Sequence, residues 1–554
     1  MPAINPAPEV DPAAPSAPDS LRAVETGFVQ AASLRELEEK RALMVRVGRK
    51  QIALFATEKG VYACNNRCPH EGYPLKEGSM SDGCVLTCNW HNWKFDLESG
   101  ETLIGGDKLR RYPVQIRGDE VWLDVTDPPA AKRAAAAMAA LRETFVNIDR
   151  RMEYDRLARE IARLQRSQGD PLDAVRAAID WTHERFEYGT THAVPAAADW
   201  LTLRAGSTDG EAARLVPLVE IAGHFAWDSL RQPVYVFPKT RKSYDEGAFL
   251  EAIEREDEDE AIALLRGALE LGLGYRDLER PLATAALAHY ADFGHSLIYV
   301  AKTGELIAQL GRKVQEPLLL MLVRSLVNAY REDLIPEFRG YHGALADWAP
   351  GKSGAAGPAV EDLTQRSVKQ VLTAVSQSAA DPEDLWSALF GASAWNLAHF
   401  DAERETLVEV SVAQSVGWLD FTHAVTFGNA VRTICEKHSE LWPQGLLQMG
   451  CFVGRNAADV DGAQDLSAWR IPDAEAFFRT SIEKLFDHGQ FEYIVSSHLL
   501  KTFMAAREEY LRAPEAPWAG DLLSGVNRFL NTPIKRKHAL RIALQSLEFV
   551  AAED

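Results

Sequence analysis

The 554-residue chain contains no run of eighteen apolar residues and so offers no membrane-spanning helix. Its first twenty residues, MPAINPAPEVDPAAPSAPDS, hold six Pro and five Ala but no basic residue and no apolar stretch, which argues against a secretory signal. Residues 1–22 are expected to form a disordered, partly polyproline lead-in, and the cytoplasm is the expected compartment. No Gly-x-Gly-x-x-Gly follows a strand pattern and no P-loop occurs, so no flavin, nicotinamide or nucleotide-phosphate site is visible. Cysteine is scarce, six in all, at 64, 68, 84, 88, 435 and 451. Positive charge is also short, the formal net charge being −20. Residues 22–126 carry 15 charges of each sign, residues 1–21 contribute −3, and 127–554 hold the remaining −17. An acidic body argues against nucleic acid and anionic membranes as partners.

What is present divides into two textures. Hydrophobic residues make up 46% of the chain, enough to bury cores in two to four domains. Short β-rich runs at 43–47, 52–57, 85–87 and 121–125 are broken by turn signals at Gly48-Arg49, Lys59-Gly60, Ser99-Gly100 and Gly118-Asp119. That is the pattern of a small sandwich or barrel, with a helical turn or two expected at 33–39. Beyond Pro128-Pro129 the period changes. Leu141, Phe145, Ile148 and Met152 follow helical steps, Asp170-Pro171 reads as a helix start, and 249–255 and 260–271 read as helices joined at an acidic turn. The expected architecture is multi-domain: a small all-β domain at 23–127, then a large mostly α-helical domain at 128–554. The Gly-, Pro- and Ala-rich stretch 340–358 is expected to be irregular, as a lid or a linker.

Four of the six cysteines fall within 25 residues. In a chain without an export signal, such clustering points to metal rather than disulfides. Cys68-Pro69-His70 is followed, after seventeen residues, by Cys88-Asn89-Trp90-His91, so each loop presents one thiolate and one imidazole. A thiolate pair suits one iron of a two-iron cluster and an imidazole pair suits the other; neutral imidazole raises the potential above that of an all-cysteine cluster. A zinc site could use the same four residues. Zinc ribbons and fingers usually pair like with like, however, whereas each half here mixes Cys and His at unequal spacings.

Residues 43–125 resemble the Rieske family, with VYACNNRCPHEGYPL, CNWHNWKFDLESGE and RRYPVQI standing in the family's order. The resemblance implies a ferredoxin- or oxygenase-type [2Fe-2S] domain whose ligands are Cys68, His70, Cys88 and His91. It also implies a subtype. Rieske proteins of respiratory complexes carry an extra, disulfide-bonded Cys in each loop, and Ser and Tyr donors near the second ligand pair. Here Trp90 precedes His91, Tyr73 stands at the partner-Cys position and Asn92-Trp93 follows His91. Fewer donors to the sulfurs place the expected potential low in the Rieske range, and Cys64 and Cys84 are expected as unliganded packing thiols. Asn92 replaces the family's usual Gly. Asn tolerates positive φ, so the turn is expected to survive, with Trp93 and Phe95 on the buried side of a following strand.

Rieske oxygenases continue into a mixed α/β domain whose Asp-x2-His-x4-His helix helps to bind a mononuclear iron. That pattern is missing after residue 130, and those catalytic residues cannot be carried over. Candidates in the helical domain therefore rest on spacing. On a helix, His289, Asp292 and His295 would share about 120° of arc. They could bind iron, or act catalytically as a His pair oriented by Asp; the alternative is packing histidines bonded to Asp292. Glu220 and His224 stand four apart, Asp420 and His423 three apart. These segments could converge on one interior site, as bundle metals are held by Glu and His from several helices. The expected second site is thus Glu220, His224, His289, Asp292, His295 and His423, although each pair alone also reads as a surface or capping contact. The stretch AALAHYADFGHSLIYVAKTGELI, residues 285–307, resembles questin oxidase-like helical proteins.

Taken together, these residues describe an iron–sulfur oxidoreductase. The [2Fe-2S] cluster would relay single electrons to a redox site in or beside the helical domain. With an additional, non-haem iron there, dioxygen activation is the natural chemistry. Electrons would come from an external reductase or ferredoxin, and a small-molecule substrate and an oligomer both fit. Two alternatives stay open: a non-catalytic electron-transfer module whose helical domain docks a partner, and a helical oxidase with no metal of its own.

Overall fold

The structure is a computed structural model that describes residues 27–146, 154–207, 210–229, 232–348, 357–378, 380–534 and 537–552. The lead-in expected at 1–22 lies outside them. Two compact units divide between Arg133 and Ala134. Every named strand lies in the first unit, and with 61% helix against 11% strand the rest is largely helical.

The first unit contains β1 (Phe28–Ser33), β2 (Ala42–Val47), β3 (Lys50–Thr57), β4 (Gly60–Asn65), β5 (Ser79–Ser81), β6 (Val85–Thr87), β7 (Lys94–Asp96), β8 (Thr102–Ile104), β9 (Val114–Arg117) and β10 (Glu120–Asp124). They form three antiparallel sheets in the orders β1-β10-β9, β2-β3-β4 and β5-β6-β7-β8. Ser33 starts the helix Leu34–Lys40, its Oγ accepting the Glu36 amide, the usual work of an N-cap serine. Side chains alternate across a strand, and β3 is buried on both faces. Ile52 and Leu54 enter one core with Leu37, Tyr112, Val121 and Leu123. Ala53 and Phe55 enter another with Leu75, Leu86, Trp93 and Phe95. That is why β3 reads as an unbroken apolar run. The second core reaches Cys68 and Cys88 and forms the floor on which the motif loops stand.

In the helical unit, Leu141 is buried and Phe145 packs against the core, whereas residues 148 and 152 lie outside the described residues. Helix Leu172–Thr182 begins one residue later than its sequence suggests, with Pro171 at the cap and Asp170 accepting the Leu172 amide. Of the acidic tract 256–260, only Glu256 and Asp257 lie between helices Glu246–Glu254 and Glu258–Glu270; Asp257 caps the second helix, and Glu258, Asp259 and Glu260 form its first turn. The stretch 340–358 is not irregular throughout. It opens with helix Gly340–Ala346, whose Tyr341 and Ala344, three residues apart, are both buried and seat it on the core; residues 349–356 lie outside the described residues.

Four helices position the second site: α1 (Ala193–Gly206), α2 (His295–Leu310), α3 (Trp418–Cys435) and α4 (Tyr493–Arg512). α1 packs on α2, α2 on α3, α3 on α4 and α4 on α1, closing a ring. Each is largely buried, so a polar side chain aimed into the ring must find its partner there. Among the described residues, no helix is long and apolar enough to cross a membrane.

Candidate metal centres

Two loops of the first unit repeat one backbone design. Cys68 N donates to Tyr73 O and Gly72 N to Cys68 O, both at 2.8 Å; Cys88 N donates to Trp93 O at 2.8 Å and Asn92 N to Cys88 O at 3.0 Å. Each loop turns through a left-handed residue at the same place, Gly72 (φ 80°) and Asn92 (φ 58°). Asn is among the few non-glycine residues that visit this region routinely, which is why the turn tolerates residue 92. Cys68 and Cys88 are 4% and 1% exposed, and burial, with the Cys88 thiol beside it, raises the Cys68 pKa to about 11. The imidazoles of His70 and His91 meet with their Nδ1 atoms 3.2 Å apart. Trp93 stacks on His70 and Trp90 on His91, with centroids 4.7 and 5.0 Å apart. A Cβ at Gly105 would stand 2.5 Å from the Trp93 indole, so glycine is what lets Trp93 lie there. Glu71 reaches toward both outer nitrogens, its two carboxylate oxygens 3.9 Å from Nε2 of His70 and of His91.

Paired buried thiols and paired Nδ1 atoms are the donor set of a [2Fe-2S] cluster with one sulfur-bound and one imidazole-bound iron, so these four residues could hold it. All six cysteines are free thiols. Cys64 is a packing thiol, its pKa pushed up to about 12 by burial. Cys84 does more, donating to Asp96 at 3.3 Å and accepting from Lys59 Nζ at 3.6 Å.

The helical unit contains a second convergence. His192 stands at the N-cap of α1, His295 opens α2, and His423 and His498 lie within α3 and α4. His295 Nε2 is 3.1 Å from His192 Nε2 and 3.0 Å from His423 Nε2, and His423 Nε2 is 3.4 Å from His498 Nε2. The rings of His192 and His498 are 4.8 Å apart. Three of the four place Nδ1 on a backbone carbonyl: His295 on Asp292 at 2.6 Å, His498 on Ile494 at 2.6 Å, and His423 on Leu419. A carbonyl only accepts, so in the neutral ring each of these Nδ1 atoms carries the proton and Nε2 carries a lone pair. Burial drives the pKa of His192 and His423 well below the ordinary 6.5 and that of His295 to about 4.

Facing lone pairs repel unless a cation or a proton lies between them. Nitrogens bound to one metal at about 2.1 Å stand roughly 3.0–3.4 Å apart for angles between square and tetrahedral, which matches the His192–His295, His295–His423 and His423–His498 contacts. Imidazole suits iron, copper, nickel or zinc; the ligand atoms of His192, His295 and His423 all lie within 4.8 Å of one another and fit one such ion, with His498 beside them at His423. Lys501, one turn beyond His498 on α4, is buried, and burial lowers its pKa to about 7. Tyr299 of α2 stands against His295, with centroids 5.4 Å apart.

The Rieske [2Fe-2S] domain family matches residues 27–109. Over 101 residues the chain is 31% identical to the ferredoxin component of the naphthalene 1,2-dioxygenase system of Pseudomonas aeruginosa, a match spanning 18% of this chain and 96% of that protein. This chain belongs to the Rieske [2Fe-2S] family. Its Rieske domain is also 34% identical over 107 residues to 4beta-methylsterol monooxygenase from Methylococcus capsulatus, where the match spans 17% of this chain but only 29% of the relative. Among solved structures, the ferredoxin of carbazole 1,9a-dioxygenase from Nocardioides aromaticivorans matches at 24% identity over 17% of this chain and 95% of that one, with a TM-score of 0.17. A Rieske domain implies a [2Fe-2S] cluster. The family match stops at residue 109, and the resemblance expected for 285–307 has no support in it.

Beyond the Rieske domain, the structure brings together two of the six residues expected at a second site, His295 and His423. The others lie elsewhere. Helix Tyr275–Leu287 ends before His289, and Asp292, Phe293 and Gly294 take φ of 50°, 50° and 75°. The expected single helix face does not exist there, and His289 turns away. His289 Nδ1 is 3.2 Å from Asp333 and its Nε2 2.7 Å from Glu254. Asp333 also accepts from Arg331 and His342; burial alone would raise its carboxyl, but these partners hold it at about 2. Asp292 serves His295 through its backbone carbonyl rather than its carboxyl group, which burial pushes up to about 7. Glu220 and His224 do share a helix, Gly210–Asp228, but Glu220 pairs with Tyr154 and His488 and His224 with Asp228. Asp420 caps α3 at Gly417 and pairs with Arg455.

Sequence reasoning missed His192 and His498, because neither has a carboxylate three or four residues away. The usable signal was different. His423 and His498 lie in helices that are apolar round most of their circumference, where an imidazole must find an interior partner.

Proposed function

We propose that this Rieske chain is an oxidoreductase in which Cys68, His70, Cys88 and His91 hold the [2Fe-2S] cluster, His192, His295, His423 and His498 hold an iron, and single electrons pass from the first centre to the second. The observation that carries the reading is the convergence of His192, His295 and His423, whose ligand atoms all lie within 4.8 Å of one another, with His498 Nε2 3.4 Å from that of His423; His295, His423 and His498 already commit Nδ1 to a carbonyl. Asp292, Leu419 and Ile494 fix the orientation of their imidazoles, as partners of metal-bound histidines do. Burial lowers the pKa of His192, His295 and His423, which keeps them neutral and available as ligands at pH 7. Lys501, with its pKa lowered to about 7, can hold or release a proton beside them. His70 and His91 have side chains 30% and 38% exposed, so an external reductase or ferredoxin can approach them.

When bound, iron at the four histidines supplies one-electron exchange and dioxygen activation. As a monooxygenation, the balance is one dioxygen, two electrons delivered singly and two protons, turning R–H into R–OH and one water. A relative named as a dioxygenase-system ferredoxin and another named as a sterol monooxygenase support oxygenase chemistry downstream of the cluster.

Iron, acid-labile sulfide and haem analysis of anaerobically purified protein tests the reading. Three irons per two sulfides are expected. His423→Ala and His498→Ala should remove the third iron and leave the cluster absorbance intact. Two irons with no further metal or haem would overturn the second centre and leave the chain as an electron carrier for a partner.

A further inference from the structure

The turn that delivers His295 is strained. Asp292, Phe293 and Gly294 are left-handed in succession, a conformation that L-residues rarely adopt because Cβ then crowds the backbone. Outliers of this kind persist only where the surroundings over-determine them, and they gather at functional sites. The restraints here come from residues 330–333. Asp292 N donates to Tyr330 O at 2.7 Å and Asp333 N to Tyr290 O at 3.0 Å, while Ala291 and Arg331 form an isolated antiparallel bridge. The Phe293 ring is boxed in by the Arg455 guanidinium at 4.3 Å, Phe452 at 5.2 Å and His423 at 5.0 Å. A Cβ on Gly294 would meet Phe427 at 2.8 Å and Phe452 at 3.0 Å, so only glycine closes the turn.

One restraint is of a different kind. The Phe293 amide, at the centre of the left-handed run, donates to a side chain rather than to backbone. Both carboxylate oxygens of Glu332 lie 3.1 Å from it. We infer that Glu332 is a positioning residue for His295: it anchors the Phe293 amide, so that the turn keeps its left-handed form and the Asp292 carbonyl stays aimed at His295 Nδ1. Glu332 itself is absent from the set of converging nitrogens and acts through the turn. The inference rests on the reading of the four histidines as a metal site. It adds a residue that neither helical spacing nor proximity to the metal would select.

Cobalt(II) titration of the full-length chain, with its iron–sulfur absorbance intact and its histidine site in the helical unit metal-depleted, separates the outcomes. Competition with a chelator gives the affinity, and the visible ligand-field bands of cobalt give the geometry. Glu332→Ala should weaken cobalt binding by about 10- to 100-fold, the usual range for loss of a group that orients a ligand, and should shift the bands. Glu332→Gln keeps an amide oxygen as acceptor and should stay within about threefold of the parent. Parent-like affinity and bands in Glu332→Ala, whatever its melting temperature, would overturn the positioning role. Equal loss in Gln and Ala variants would also overturn it, since charge rather than the amide anchor would then matter. A parent chain that takes up no cobalt, with none bound in a His423→Ala control either, would instead sink the metal site on which the inference rests.

Discussion

His295 and His423 are 128 residues apart in the chain, yet their Nε2 atoms lie 3.0 Å apart. Each commits its Nδ1 to a carbonyl, Asp292 for one and Leu419 for the other. In the neutral rings neither Nε2 has a hydrogen to give, so the contact is not a hydrogen bond. It sets two lone pairs against each other inside a ring of packed helices, and this is the contact on which the proposed metal site rests.

If a metal lies there, the converging histidines should matter to its binding and the other histidines of the helical domain should not. His192→Ala should lower metal affinity at the helical site by at least about tenfold. His224→Ala and His289→Ala, whose partners are Asp228 in one case and Glu254 and Asp333 in the other, should leave metal content at the parent level. Metal analysis after gel filtration checks all three. Loss of metal in His289→Ala but not in His192→Ala would reverse the assignment.

Asp292→Asn should be nearly silent. The carbonyl that holds His295 belongs to the backbone, and Asn accepts a left-handed φ more readily than most residues. Asp292→Val should instead cost about 1–3 kcal/mol, because a β-branched residue is poorly suited to a φ of 50°. Urea unfolding of both variants, with metal content measured alongside, distinguishes backbone support from a carboxylate ligand. A large loss of metal in Asp292→Asn would restore the carboxylate to the site.

Without metal, His295 should make stability depend on pH. Its folded pKa is lowered to about 4 against an ordinary 6.5, so the unfolded chain binds this proton first. The stability it contributes is present above pH 6.5 and is lost as the pH falls toward 4, by about 3 kcal/mol in total. Asp292 and Glu332, both raised to about 7 by burial, act in the opposite sense: their contribution is full below their unfolded pKa near 4 and disappears as the pH rises through 7. Comparing the parent with His295→Gln cancels those carboxyls. The difference in unfolding free energy should change by about 2–3 kcal/mol between pH 7 and pH 4.5. A constant difference would mean that His295 titrates normally.

In the Rieske domain, replacing His70 or His91 by Cys should retain some cluster and lower its potential toward the all-cysteine range near −400 mV, because thiolate adds negative charge. Protein-film voltammetry measures the shift. Unchanged potentials and spectra in both variants would contradict the ligand assignment.

Gly105→Ala tests the stacking of Trp93 on His70. The new methyl would meet the indole at 2.5 Å, and Gly105 has a φ of 134° that an L-residue adopts only under strain. A destabilisation of about 1–3 kcal/mol is expected, together with a changed circular-dichroism band of the cluster. A variant with parental melting temperature and spectrum would show that Trp93 has another place to go.

The cluster loops were legible in the sequence because their logic is local. Each loop closes through hydrogen bonds between residues four and five apart, from Cys68 to Gly72 and Tyr73 and from Cys88 to Asn92 and Trp93. Residue types at fixed offsets therefore nearly define the geometry, and even the left-handed turn at Asn92 followed from side-chain chemistry. The β-rich beginning and the helical remainder were readable for the same reason, since periods of two and of 3.6 residues are local properties. The four-histidine site obeys no such rule. Its contacts join residues separated by 103, 128 and 75 positions, and which helix faces which is settled only when the ring closes. Spacing alone made 289–295 look like one helix with His289 and His295 on a shared face. Three left-handed residues, held by Glu332 and the backbone of 330–333, turned the segment instead, sending His295 inward and His289 toward Glu254 and Asp333. Packing among distant segments made that choice, because the strain of the turn is stable only against partners that local sequence does not contain.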